Sequence, residues 1–230
     1  MNLRHKKASD FRDERVDKMT KRATPSHPIL ETIAERWSPR AFTKDIPSAG
    51  ELASIFEAAR WAPSCFNGQP WRFIVSRADD PDTFGKALSC LREQNASWAQ
   101  NAPVLGFLIA SENFEYNGKP NPWSDLDCGL AMGQLALQAQ SMGWSTHIMA
   151  GFHPDRVREI FGVPEGFDPL VAFVVGKPGD PKTLPQDLLE REVAPRERKS
   201  ITETVFSPEW GKKYFHGQET SDQDNKTDMN

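Results

Sequence analysis

Cysteine is scarce and unpatterned. The three thiols of the 230-residue chain, Cys65, Cys90 and Cys128, are odd in number and show no Cys-x-x-Cys spacing. That argues against a disulfide framework and a structural zinc site, and fits a reducing compartment. The histidines at 5, 27, 147, 153 and 216 form no His-Glu-x-x-His or related metal spacing. No Gly-x-Ser-x-Gly elbow offers a serine nucleophile, no Gly-x-Gly-x-x-Gly follows a strand-like run, and no P-loop is present. No apolar run approaches the length of a membrane span. Long basic runs are also missing, and the net charge of -4 gives no sign of a nucleic-acid face. With no evident acid–base set or activated nucleophile, chemistry here has to come from a bound cofactor.

What the chain does contain is an ordinary globular middle between two polar ends. Residues 1–22 mix Arg4, Lys6, Lys7, Arg12, Arg15, Lys18, Lys21 and Arg22 with Asp10, Asp13, Glu14 and Asp17. No apolar stretch follows, so this is no secretory leader, and the acidic residues argue against a transit peptide. The expectation is a disordered or extended segment over 1–27, one domain over 28–210 and a disordered polar tail over 211–230. The expected location is the cytoplasm.

Within the middle, Ile29, Ile33 and Trp37 recur at helical spacing, up to the Ser38-Pro39 step. A second helix opens at Pro47-Ser48, lines up Leu52, Ile55, Phe56 and Ala59, and stops at Pro63. Residues 71–75 read as a strand and 81–94 as one helix. The unbroken apolar run 104–110 reads as a buried strand. Residues 113–124 form a loop, and 126–142 a helix with no clear polar face, predicted to be buried. Residues 144–149 and 169–175 read as strands, 154–161 as a short helix, and 186–199 as a charged segment. Strands and helices alternate irregularly, which gives an α+β domain with helices around one sheet.

Two polar clusters stand out. Arg36, Ser38 and Arg40 alternate along a proline-interrupted segment beside Trp37, so in extended backbone two guanidiniums and a hydroxyl share one side. Guanidinium forks suit phosphate, although two arginines at a helix end are also an ordinary solvated pair. The second cluster, Pro63-Ser64-Cys65-Phe66-Asn67-Gly68-Gln69-Pro70, presents two side-chain amides that are both donor and acceptor. These amides could read a ring edge that alternates carbonyl and N–H, and Asn-Gly could equally be a plain turn. Cys65 reads as a packing thiol and His147 as a satisfied core histidine.

The pattern Arg36-x-Ser38-x-Arg40-x-Phe42, followed by Ala62-Pro63-Ser64-x-x-Asn67-x-Gln69-Pro70-Trp71-x-Phe73, resembles the nitroreductase family of FMN-dependent oxidoreductases. The similarity continues through residues 148–154, Val163-Pro164-Glu165-Gly166 and Gly176-Lys177-Pro178 to the basic set at 196–199. The resemblance implies a three-layer sandwich with a mostly antiparallel central sheet flanked by helices, in an intertwined homodimer with FMN at the subunit interface. Arg36, Trp37, Ser38 and Arg40 would hold FMN, with Arg196 and Arg198 as the second phosphate pair. Asn67 and Gln69 would meet the ring edge. Pro63, Ser64 and Cys65 would reach the flavin of the other subunit. Ala150 and Gly151 would bring a backbone N–H to flavin N5.

By the same resemblance, NADH or NADPH reduces the flavin and leaves, and a nitroaromatic, quinone or similar flat acceptor takes its place, with no catalytic side chain. The resemblance also leaves open a dehalogenating or flavin-fragmenting relative and a flavin-binding protein without turnover. The aromatic segment 113–124 is either a cap over the site or a surface loop.

Overall fold

The computed structural model describes residues 21–215; residues 1–20 of the expected 1–27 extension and 216–230 of the expected 211–230 tail lie outside the described residues. The fold grows from one strand. Strand β2 (Val104–Ser111) is buried along its whole length. It lies between β1 (Trp71–Arg77) and β4 (Phe167–Gly176), and β3 (Ser145–Met149) completes the order β1-β2-β4-β3. Every pairing is antiparallel. The register slips between Leu108 and Ile109, opposite Pro169–Val171. Pro169 has no N–H to give the ladder, and an irregularity is where a sheet tolerates it.

Alternation along the two central strands separates two cores. Leu105, Phe107 and Ile109 of β2, with Ala172 and Val174 of β4, face one apolar cluster. Val104, Leu108 and Ala110, with Phe173 and Val175, face the other. This is the period-two projection of a pleated strand. The first cluster is covered by α3 (Pro81–Ser89), α4 (Glu93–Ala99), α6 (Pro154–Phe161) and α7 (Gln186–Val193). The second is covered by α2 (Ala49–Arg60) and α5 (Ser124–Ser141). Helix, sheet and helix thus form three layers, as the sequence implies. A short α1 (Glu31–Glu35) precedes them.

Local signals explain most boundaries. Ser48 accepts from the Glu51 N–H while the Glu51 carboxylate accepts from the Ser48 N–H, a reciprocal cap that starts α2. Gly162 (φ 65°) stops α6 in the left-handed conformation.

Three expectations change. The helix predicted over 81–94 is two helices, because Leu91 leaves the helix to bridge Phe152 and the Cys90 carbonyl accepts from the His153 N–H at 2.8 Å. The charged segment 186–199 opens with α7, whose Leu188 and Glu192, one turn apart, are both buried. Helix α5 is buried along one face only; Leu126, Gly129, Leu130 and Gly133 are exposed. Its small and apolar residues form an open stripe as well as a core stripe.

Gly106 marks the tightest point in the sheet. A Cβ there would lie 2.5 Å from Phe173 Cζ and 2.6 Å from the Ile74 carbonyl oxygen, and the backbone atom cannot yield. Gly106→Ala is expected to cost about 1–3 kcal/mol through overpacking. Guanidinium unfolding would show this as a lower midpoint with an unchanged slope.

Candidate functional site

The segment after α1 is held as an extended strap. Arg36 closes the helix at ψ 123°, and Pro39 keeps the chain out of helix. Further on, the Thr43 N–H donates to the Lys177 carbonyl at 2.9 Å and Phe42 bridges Pro178. Phe42 presses against Gly176 and Gly179, where any Cβ would fall 2.6–2.7 Å from it. The Gly-Lys-Pro-Gly turn is therefore glycine-bounded because the strap crosses it.

A second segment meets this strap from the far end of the chain. After α7, residues 194–198 run past α1, and Arg196 Nη1 donates to the carbonyls of Ala34 (2.8 Å) and Lys21 (2.7 Å). The two segments enclose a cavity of about 260 Å³ lined by Lys21, Arg36, Trp37, Ser38, Arg40, Arg191, Ala194, Pro195, Arg196, Glu197 and Arg198. Six of these side chains are cationic. Within it, Arg36 Nη1 donates to Ser38 Oγ at 3.4 Å.

The titration of the cavity's cations records their crowding. Burial, followed by the nearby Arg196 and Arg198, pushes the Arg36 guanidinium below its usual value. Burial and Arg198 do the same to Arg196. Lys21 is lowered chiefly by burial, against an opposing pull from Glu192. Cations gathered and partly desolvated in this way are relieved by a bound anion. A phosphate monoester, with close to two charges and several acceptor oxygens, matches the guanidinium donors.

Glu192 lies behind the strap. It is 1% exposed, and its Oε1 accepts from the Arg40 N–H (2.8 Å) and the Ala41 N–H (3.1 Å). His147 on β3 braces the same strap: its Nδ1 donates to the Pro39 carbonyl at 2.9 Å, and its ring lies 4.6 Å from that of Trp98. Burial, with Arg40 also opposing the charge, lowers the imidazole pKa to about 4. This is the satisfied core histidine read from the sequence.

The polar loop lies elsewhere in the fold. Pro63, Ser64 and Cys65 line a separate apolar groove of about 280 Å³ with Trp123, Leu126, Asp127 and Leu130. No residue lines both cavities. Phe66, Asn67 and Gln69 all have positive φ (50°, 53° and 44°) without being glycine, a strain of about 1–3 kcal/mol each. Two bonds sustain it: the Cys65 N–H donates to Asp127 Oδ2 at 3.0 Å, and the Gln69 N–H to Ser64 Oγ at 3.1 Å. Asn67 is exposed, whereas the Gln69 side chain turns back to donate to the Asn67 carbonyl at 3.1 Å.

Ala150 and Gly151 follow β3 and line neither cavity. The Gly151 carbonyl accepts from the Arg92 N–H (3.1 Å) and Asn95 Nδ2 (3.0 Å). A Cβ on residue 151 would lie 2.6 Å from Asn95 Nδ2, so a larger residue there would displace the Asn95 amide.

The structure thus unites Arg36, Trp37, Ser38, Arg40, Arg196 and Arg198 around one cavity and leaves Pro63, Ser64, Cys65, Asn67, Gln69, Ala150 and Gly151 outside it. Sequence reading missed Lys21, Asn95, Asp127 and Glu192. Only Glu192 carried a signal, its position one turn from Leu188 on the buried face of α7. Among the described residues no metal-binding cluster occurs, and no helix is long and apolar enough to cross a membrane.

The model of the nitroreductase family matches residues 33–177. A solved structure described as an oxidoreductase containing FMN is 35% identical, with a TM-score of 0.78, over 83% of this chain and 97% of its own. An NADH dehydrogenase of Thermus thermophilus is 31% identical over 60% of this chain and 82% of its own length. A putative NADH dehydrogenase/NAD(P)H nitroreductase of Methanothermobacter thermautotrophicus is 28% identical over 76% of this chain and 86% of its own. The chain belongs to the nitroreductase family. It is an oxidoreductase of the class that uses FMN.

His147 provides a test of how the strap is braced. In the unfolded chain its imidazole takes a proton near pH 6.5, whereas in the fold it resists until about pH 4. The unfolded state therefore binds more protons between these values, and stability falls as pH drops through that window. Between pH 7 and 4.5 the wild type is expected to lose roughly 2 kcal/mol more than His147→Gln, at 1.36 kcal/mol per pKa unit. Urea unfolding at the two pH values measures the difference.

Proposed function

We propose that the protein is an NAD(P)H-dependent FMN oxidoreductase that reduces nitroaromatic, quinone or similar flat electrophiles by a ping-pong route, working as a homodimer. The observation that carries this reading is the convergence of Arg36, Ser38, Arg40, Arg196 and Arg198 on one cavity from opposite ends of the chain. Bound FMN supplies the redox chemistry, taking two electrons from the nicotinamide and giving them to the acceptor.

The chain's own groups bind and orient. Arg36, Arg196 and Arg198 hold the phosphate, Ser38 the ribityl chain and Arg40 the pyrimidine edge. The backbone at Ala150 and Gly151 serves N5, with Gly151 kept in place by Arg92 and Asn95. The groove of Pro63, Ser64 and Cys65 serves the flavin of the second subunit, which accounts for its separation from the arginine cavity. Exposed Ile29, Leu30, Ile33, Leu126 and Leu130 are the apolar surface such a dimer would bury. Exposed Tyr116 on the loop after β2 and exposed Trp123 just before α5 suit a flat acceptor, whereas Phe114 is buried against Gly68.

The purified protein is expected to be yellow, and anaerobic NADH or NADPH should bleach it. An acceptor such as a quinone added afterwards should restore the colour. A flavin that neither nicotinamide bleaches would exclude the enzymatic reading. Arg196→Met should weaken FMN binding by about 10–100-fold, on the scale of a lost charge-assisted bond; fluorescence titration of the apoprotein reads this directly.

A further inference from the structure

The cavity's cations are matched by one carboxylate that does not line it. Glu192 comes from α7, 152 residues after the strap it holds. Its Oε1 is fully engaged by the two backbone donors of Arg40 and Ala41. Its Oε2 lies 3.5 Å from Arg40 Nη1 and, though buried, has no hydrogen-bond partner. The single negative charge is shared by both oxygens, so Glu192 is a buried anion that holds the strap backbone with one oxygen and faces the Arg40 guanidinium with the other.

We infer that Glu192 is a positioning residue that fixes Arg40 beside the flavin and, as the charge behind it, sets how strongly the pocket favours reduced over oxidised FMN. Hydride uptake from NAD(P)H adds two electrons and one proton to the flavin ring, and so one negative charge. A cation near the ring favours that change, and a carboxylate close behind the cation opposes it. Arg40 provides the first influence and Glu192 moderates it. His147 faces the same strap as a neutral group, so near pH 7 the charges nearest the strap are Arg40 and Glu192, with Lys21, Arg36, Arg191, Arg196, Glu197 and Arg198 elsewhere around the cavity. The inference rests on the flavin occupying the arginine cavity.

The decisive variant is Glu192→Gln in the holoprotein. Its amide oxygen can still accept from both backbone N–H groups, while the negative charge is gone. The expected result is a midpoint potential more positive than wild type. About tenfold preferential tightening of reduced over oxidised FMN corresponds to 29.6 mV for a two-electron couple. The apoprotein should melt near the wild-type temperature. An unchanged potential, with or without a loss of thermal stability, would make Glu192 a structural residue only and overturn the inference.

Should Glu192→Gln fail to fold, Arg40→Gln gives the converse measurement. With the carboxylate unopposed, the potential should drop below wild type, and an unchanged or raised value would overturn the inference. Arg196→Met separates the two claims. If its FMN affinity matches wild type, the flavin lies elsewhere; if its affinity falls while Glu192→Gln leaves the potential unmoved, only the role of Glu192 is wrong.

Discussion

Burial of β2 on both faces is the constraint from which the rest follows. A strand with no exposed residue needs an apolar layer on each side, and the alternating side chains of β2 and β4 divide the helices between them. Helix α7 can deliver Glu192 to the strap only because Leu188 anchors it on one of those layers. Likewise α5 can hold the Pro63–Gln69 loop through Asp127 because Cys128, Ala131 and Leu135 seat it on the other. The two cavities are consequences of which layer each helix joined.

The electrostatics run in a direction opposite to ordinary stabilisation. Gathering Lys21, Arg36, Arg40, Arg191, Arg196 and Arg198 around one cavity raises the energy of the fold. The core has to carry that repulsion until an anion arrives, and binding energy then includes relief of the repulsion. The strained loop has the same character. Three non-glycine residues held at positive φ persist because Ser64 and Asp127 fix the backbone on either side.

Periodic features were legible in the sequence, and features set by distant contacts were not. The apolar run at 104–110, the proline-started helix at 154–161 and the Ser48 cap each announce themselves locally, and the structure reproduces them. The break at Cys90-Leu91 follows from pairing with Phe152 and His153, some sixty residues away, which no local propensity encodes. Helix α7 was hidden because its charged residues outnumber the two apolar positions that seat it. Of the site, the arginine alternation at 36–40 was visible as a pattern, and its meaning depended on Arg196 and Arg198 lying opposite. The bracing residues Asn95, Asp127 and Glu192 act through backbone atoms, so their partners leave no mark in side-chain composition.

The pairing of Arg196 with the Ala34 carbonyl, 162 residues apart in the chain, also orders events in time. On a ribosome adding about 5–20 residues per second, the second wall of the cavity is made roughly ten to thirty seconds after the first. A nascent chain holding only the strap has half an anion site and nothing to close it. An anion that needs both walls therefore meets a complete cavity only after Arg196 has been added, late in synthesis.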